Sequence, residues 1–191
     1  HMLLGTDGGF YLTYDKAAHW DHMNHAGALG QFYHVAVDTR KPYRIYGGLQ
    51  DNGSWGGPSL SGRGPGPINE DWNLVNGGDG FVCRIDPNDP DLVYAESQDG
   101  TLMRRNLRTN SSVRLQPRWK PGLSSFRFNW NTPFLLSSHN SSIYYAAGNY
   151  VFRSVKRGDD LQVASPEITR TKRGSATALA ESPLNSEVLW V

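Results

Sequence analysis

Asp79 sits in the glycine-rich run Gly77-Gly78-Asp79-Gly80-Phe81, and Asn129, Trp130 and Asn131 form one polar and aromatic tripeptide. Gln31 and His34 flank Phe32-Tyr33, while Trp55 closes Gln50-Asp51-Asn52-Gly53-Ser54-Trp55. One carboxylate, one imidazole, three amides and an indole suit sugar recognition. Amides and acids match hydroxyls, and an indole offers a flat apolar platform. Glycosidic cleavage asks for more: two carboxyl groups, about 5–5.5 Å apart for retention or about 6.5–9.5 Å for inversion. One of them needs a raised pKa to act as the acid. Asp79 is the candidate acid or base, with Asp51 or Asp7 as its partner. A structural reading stands beside each of these. Asp51 shares its setting with Asp7, Asp99 and Asn149, where Asx side chains cap turn amides. Trp130 and Phe81 can wedge sheets together, and Asn129 and Asn131 can bond loop backbone.

Other chemistries find less support. Asp86, Asn88, Asp89 and Asp91 are closely spaced oxygen donors of the kind that hold calcium. The comparable stretches 38–43 and 137–142 lack most of those carboxylates, and Asp-Pro is ordinary turn chemistry. His19, Asp21, His22 and His25 suggest a metal, but a strand alternates faces, so a spacing of three divides the histidines. No metal site or cofactor is expected. Arg104, Arg105, Arg108, Arg114, Arg118 and Lys120 form a basic stretch without an acid. With a formal net charge of +1, these side chains are expected on a solvated face and not on nucleic acid. The lone Cys83 excludes an intrachain disulfide and is expected as a buried small hydrophobe. No Ser-His-Asp order, phosphate loop or dinucleotide fingerprint appears. No apolar run reaches the length of a membrane span, and none reads as a signal peptide.

What must position these residues is a repeat. Helical periodicity is scarce, and short β-rich runs are bounded by Gly, Asn, Asp and Pro. Val35-Ala36-Val37, a polar turn from Asp38 to Pro42, Tyr43-Arg44-Ile45-Tyr46 and then Gln50-Asp51-Asn52-Gly53 make one unit. Cys83-Arg84-Ile85, Asp86 to Pro90, Asp91-Leu92-Val93-Tyr94 and Gln98-Asp99-Gly100 repeat it. Phe134-Leu135-Leu136 to Gly148-Asn149 is a third copy, and Ala178 to Val191 begins a fourth. Asp7, Asp51, Asp99 and Asn149 lie 44, 48 and 50 positions apart. A period of about 45 residues, with a few antiparallel strands in each unit, is that of a β-propeller blade. Seven residues before the first polar turn of each unit stand Gln31, Asp79 and Trp130, with Gly174 roughly equivalent. This position changes character from copy to copy and leads into the strand nearest the axis, which frees it to carry function.

Thr13-Tyr14-Asp15-Lys16-Ala17-Ala18-His19-Trp20 resembles a degraded Asp-box, Ser/Thr-x-Asp-x-Gly-x-Thr-Trp, in which Thr13, Asp15 and Trp20 match while Ala17 and His19 depart. The stretch from Ser154 to Leu161 keeps Ser154 and Gly158. Together with the glycine-rich and Asp-Pro runs above, the chain resembles BNR/Asp-box propellers of the "glycosyl hydrolase, BNR repeat" type, related to sortilin-like and xyloglucanase-like propellers. That fold hosts hydrolases, sugar binders and protein receptors alike. The resemblance implies an extracellular or periplasmic bacterial parent protein.

The expected architecture is therefore an all-β propeller of about four blade-equivalents of four-stranded antiparallel sheets. It forms part of a larger ring or a ring completed by oligomerisation. Residues 1–2 read as a cloning scar and 3–191 as one partial propeller domain. Its repeats are about 3–34, 35–82, 83–133 and 134–177, and 178–191 is a partial blade able to pair with residues 3–13. The expected function is glycan binding or a scaffold role without robust turnover. A glycoside hydrolase acting on a β-glucan-like polysaccharide through Asp79 is the first alternative, and a sortilin-like peptide receptor the second. A homodimer that completes the ring is the expected assembly.

Overall fold

The computed structural model describes residues 1–6, 9–23, 30–62, 64 and 66–191. Asp7 and His25 therefore lie outside the described residues. The described chain is all-β and divides into two compact units, His1–Gln31 and Phe32–Val191.

The first unit is one antiparallel sheet of β1 (Met2–Thr6), β2 (Gly9–Thr13) and β3 (Asp21–His22), in that order. The turn after β2 is built by side chains. The Thr13 hydroxyl donates to Asp15 Oδ1 at 2.8 Å and accepts from the Ala17 amide at 3.1 Å. Lys16 and Ala17 take left-handed backbone, φ 61° and 76°.

The second unit repeats a four-stranded antiparallel sheet three times. β4 (Phe32–Val37), β5 (Arg44–Leu49), β6 (Gly53–Pro58) and β7 (Asn73–Asn76) form the first blade. β8 (Cys83–Asp86), β9 (Asp89–Ser97), β10 (Thr101–Asn106) and β11 (Ser112–Leu115) form the middle blade. β12 (Phe134–Leu136), β13 (Tyr144–Ala147), β14 (Val151–Ser154) and β15 (Gln162–Val163) form the third, and β16 (Ala180–Glu181) with β17 (Leu189–Trp190) make a two-stranded sheet.

Each first-to-second strand turn is closed by one short side chain. Asp38 Oδ1 accepts from the Arg40 and Arg44 amides, and Asp86 Oδ1 accepts from the Asn88 amide. Ser137 Oγ takes the His139 and Asn140 amides, and Ser182 Oγ takes those of Leu184 and Asn185. All four side chains are buried. An oxygen that serves the amide two residues on is what makes Asp and Ser turn formers. In the stretch from Asp86 to Asp91, Asp89 Oδ1 likewise accepts the Asp91 amide, and Asp91 takes Arg40 and Arg108.

The core lies between sheets. Tyr46 and Val75 of the first blade pack on Cys83, Val93 and Ala95 of the middle blade. The other face of the middle blade, with Leu92, Tyr94, Leu102 and Leu115, meets Phe134, Tyr144, Ala146 and Phe152 of the third. Cys83 is buried, and desolvation pushes its thiol up to about 11, so it remains an inert thiol. Close approach fixes glycine at two facing positions. A Cβ at Gly48 would meet Gly80 C at 2.1 Å, and a Cβ at Gly80 would meet Gly53 O at 2.4 Å.

The basic stretch departs from expectation. Arg108, Arg114, Arg118 and Lys120 are exposed, but Arg104 keeps only 15% side-chain exposure and reaches across to the third blade. It donates to the Arg157 carbonyl at 2.5 Å and to the Asp159 carboxylate at 3.2 Å. Strand alternation turns Arg104 toward the neighbouring sheet, a direction that composition alone does not reveal.

Candidate functional site

In an antiparallel blade the second-to-third strand turns and the linkers between blades share one end. That end gathers the residues with the most suitable chemistry. The turns are Gln50–Asn52, Gln98–Gly100 and the stretch around Asn149. Asp51 and Asp99 take left-handed backbone there, φ 60° and 55°. Asn149 is fully buried, and its Oδ1 accepts the Arg127 amide at 2.8 Å.

Asp79 lies in the linker between the first and middle blades and is 7% exposed. Its Oδ1 accepts the Asp51 amide at 2.5 Å, and its Oδ2 accepts Gln98 Nε2 at 2.7 Å. The carboxylate thus joins the second-to-third turns of two neighbouring blades. Both oxygens are engaged within the chain. Asp51, its expected partner, contributes its amide to that link.

Trp130 lies in the next linker and is 44% exposed. Its ring meets Phe81 edge-on at 4.8 Å and Tyr33 at 6.2 Å, and Tyr33 and Phe81 are 4.7 Å apart. The Tyr33 hydroxyl donates to Gln50 Oε1 at 2.6 Å. The Trp130 carbonyl accepts the Asp99 amide at 3.3 Å, in the turn whose Gln98 binds Asp79. Asn129 Oδ1 caps the Asn131 amide at 3.0 Å. The wedge and the platform are therefore one object. Phe81 and Tyr33 seat one edge of the indole and leave nearly half of the residue open.

The other expected residues make no side-chain hydrogen bond to Asp79 or Trp130 among the described residues. His34 is exposed on β4, and Gln31 is exposed in the first unit. Trp55 is half-buried on β6, where its Nε1 donates to the Asn52 carbonyl at 2.6 Å.

One residue at this end was missed. Glu96 on β9 is fully buried, and its Oε1 accepts the Thr132 amide at 2.5 Å, pinning the linker that carries Trp130. Its Oε2 is buried without a hydrogen-bond partner among the described residues. Burial pushes the carboxyl up to about 8, against the pull of the Thr132 and Val82 amides. The signal lay in the repeat. The register aligns Glu96 with Gly48 and Ala147, so it too changes character between copies. A second carboxylate, Glu167, binds Arg127 at 2.5 Å and Ser124 at 2.8 Å, and these donors hold it down to about 2.

In the first unit, Asp15 accepts the His19 amide at 2.9 Å and lies 2.5 Å from His19 Nδ1. The His19 amide and ring, with the Thr13 hydroxyl, hold its carboxyl down to about 2. His19 departs from the Asp-box pattern yet takes part in the turn. The third blade repeats the backbone of that turn: the Lys156 amide donates to Ser154 Oγ at 3.0 Å, and Arg157 and Gly158 have φ 57° and 91°. Among the described residues no group of three or more His, Cys, Asp or Glu side chains is arranged to hold a metal ion, and no helix is long and apolar enough to cross a membrane.

No protein-family model matches the chain, and no curated protein matches it. Among solved structures it is similar to a GH74 xyloglucanase from Xanthomonas campestris, with a TM-score of 0.56 and 17% sequence identity. The match covers 98% of this chain and 32% of that one, so the chain spans about a third of the length of this structural neighbour. At that identity the likeness speaks for the fold, and with the repeated four-stranded antiparallel sheets it identifies an all-β, partial β-propeller.

Proposed function

We propose that the chain is a glycan-binding propeller segment whose rim is built by the blade linkers, with Trp130 as the platform. The observation that carries this reading is the half-open indole, seated edge-on by Phe81 and Tyr33 at the linker position that differs in every copy. His34, Asn129, Asn131 and Trp55 of the second unit supply polar and aromatic groups for sugar hydroxyls and ring faces. The similar turns at Thr13 and Ser154 support placement among BNR/Asp-box propellers, and the xyloglucanase neighbour favours a β-glucan-like ligand. A protein of this kind would work outside the cell or in the periplasm, where such polysaccharides occur. The fold also admits a sortilin-like peptide receptor, which would bind peptides and ignore sugars.

Trp130→Ala is expected to weaken binding of xyloglucan oligosaccharides by about tenfold or more, the size of losing one aromatic anchor. Isothermal titration beside circular dichroism checks this; unchanged affinity in a folded variant overturns the reading. Reducing-sugar release from the same oligosaccharides tests Asp79 as acid or base. Release that disappears in Asp79→Asn would make the rim catalytic. Both Asp79 oxygens serve the Asp51 and Gln98 donors, which favours binding without turnover.

A further inference from the structure

First-to-second and third-to-fourth strand turns share the end of the blades opposite the Trp130 rim, and there the middle blade encloses a cleft with each of its two neighbours. Between the middle and third blades the cleft has a volume of about 570 Å³ and is lined by Arg104, Lys156, Arg157, Asp89 and Asp159. Arg104 pairs with Asp159, and Arg157 Nε lies 3.5 Å from Asp86. Three cations face three carboxylates, and the buried Arg157 Nε and Asp86 Oδ2, which make no hydrogen bond among the described residues, face one another as an ion pair.

The equivalent cleft between the first and middle blades is smaller, about 180 Å³, and its balance differs. Arg40, Arg44 and Arg105 line it with Asp91 as the sole carboxylate, beside Asn73 and Asn110. Asp38 also takes Arg40, but Asp91 is shared between Arg40 and the outlying Arg108. Within the cleft Arg40, Arg44 and Arg105 thus meet Asp38 and Asp91, while Arg108 outside it also lies in the field of Asp89. Among the described residues Arg105 bonds the amide oxygen of Asn110. Arg44 Nη2 makes a 3.4 Å contact with the Gly56 carbonyl, while Arg44 Nε is buried with no hydrogen-bond partner among the described residues. A buried charged donor without an acceptor is costly, and gathering like charges in a part-enclosed cleft adds to that cost. An anionic acceptor removes both costs.

We infer that the cleft between the first and middle blades binds a sulfate- or phosphate-type oxyanion, held by Arg44 and Arg105 with Arg40 behind them. Planar guanidinium forks match tetrahedral oxyanions in paired hydrogen bonds. The volume admits the ion with a few waters, at about 30 Å³ for each water in the liquid. The oxyanion is either the free ion or the sulfate of a sulfated sugar.

Sodium sulfate, exchanged for sodium chloride at constant ionic strength, is the probe. The intact chain is observed through its arginine Nε–Hε NMR resonances, and the thermal midpoint is followed alongside. The Arg44 resonance is expected to move saturably, and the midpoint to rise with sulfate. Arg105→Gln should weaken the affinity by about tenfold or more, the size of a charge-assisted hydrogen bond. Arg44→Lys, which keeps the charge and removes the Nε donor, should weaken it as well. Shifts that chloride reproduces, or wild-type affinity in both variants, overturn the proposal. Glucose 6-sulfate binding more tightly than sulfate, with glucose inert, assigns the oxyanion to a sugar; equal or weaker binding assigns it to the free ion. Trp130→Ala should leave the sulfate titration unchanged, so failure at the rim and failure here are told apart.

Discussion

At the scale of single residues, Glu96 makes stability depend on pH. Its carboxyl lies at about 8 in the folded chain against an ordinary 4.5, so the native state keeps the proton longer than the unfolded state does. Its contribution is then fully present below about pH 4.5, is lost as the pH rises toward about 8, and is flat above. Glu96→Gln retains an acceptor for the Thr132 amide and cannot ionise. Chemical denaturation from pH 5 to 8 should show the slope of stability against pH reduced in Glu96→Gln; an unaltered slope would refute this account. Glu96→Ala should instead lose about 1–3 kcal/mol, because the Thr132 amide is left buried and unpaired. The sequence held part of this. A carboxylate opposite Gly48 and Ala147 is visible as an anomaly, but its burial and its bond to Thr132 come from a contact 36 residues away in the chain. Asp79 shows the same boundary. Its setting among glycines was legible, whereas its grip on Asp51 and Gln98 required the two blades to be side by side.

At the scale of elements, the turns explain why the repeat could be read at all. Asp38, Asp86, Ser137 and Ser182 do one job in each copy, closing a turn through a local bond, and local bonds leave their mark in sequence spacing. Sheet-to-sheet contacts leave none, and that is why Arg104 was expected in solvent and is found between blades. The Gly48–Gly80 approach is of that kind too. Gly48→Ala sets a methyl group against backbone that cannot rotate away. It is expected to cost about 1–3 kcal/mol or more, as overpacking does. In a chain of this length that lowers the thermal midpoint by at least about 2–4 °C per kcal/mol, measurable by calorimetry. A midpoint equal to wild type would show that the linker can yield.

At the scale of the whole chain, the apolar clusters are shared unequally among the blades. The middle blade, Cys83–Leu115, contributes to both, while the first and third blades each contribute to one. Native-state hydrogen exchange should therefore find the slowest amides on β9 and the fastest on β16 and β17. Uniform protection across the blades would contradict this ranking. Within Phe32–Val191 the two apolar clusters join neighbouring blades, and sheets joined in this way behave under load unlike a domain with one common core. Pulled from both ends in an optical trap, such a chain should yield in successive sawtooth steps. The terminal sheets would peel away first, and the Cys83–Leu115 sheet would rupture last and at the highest force.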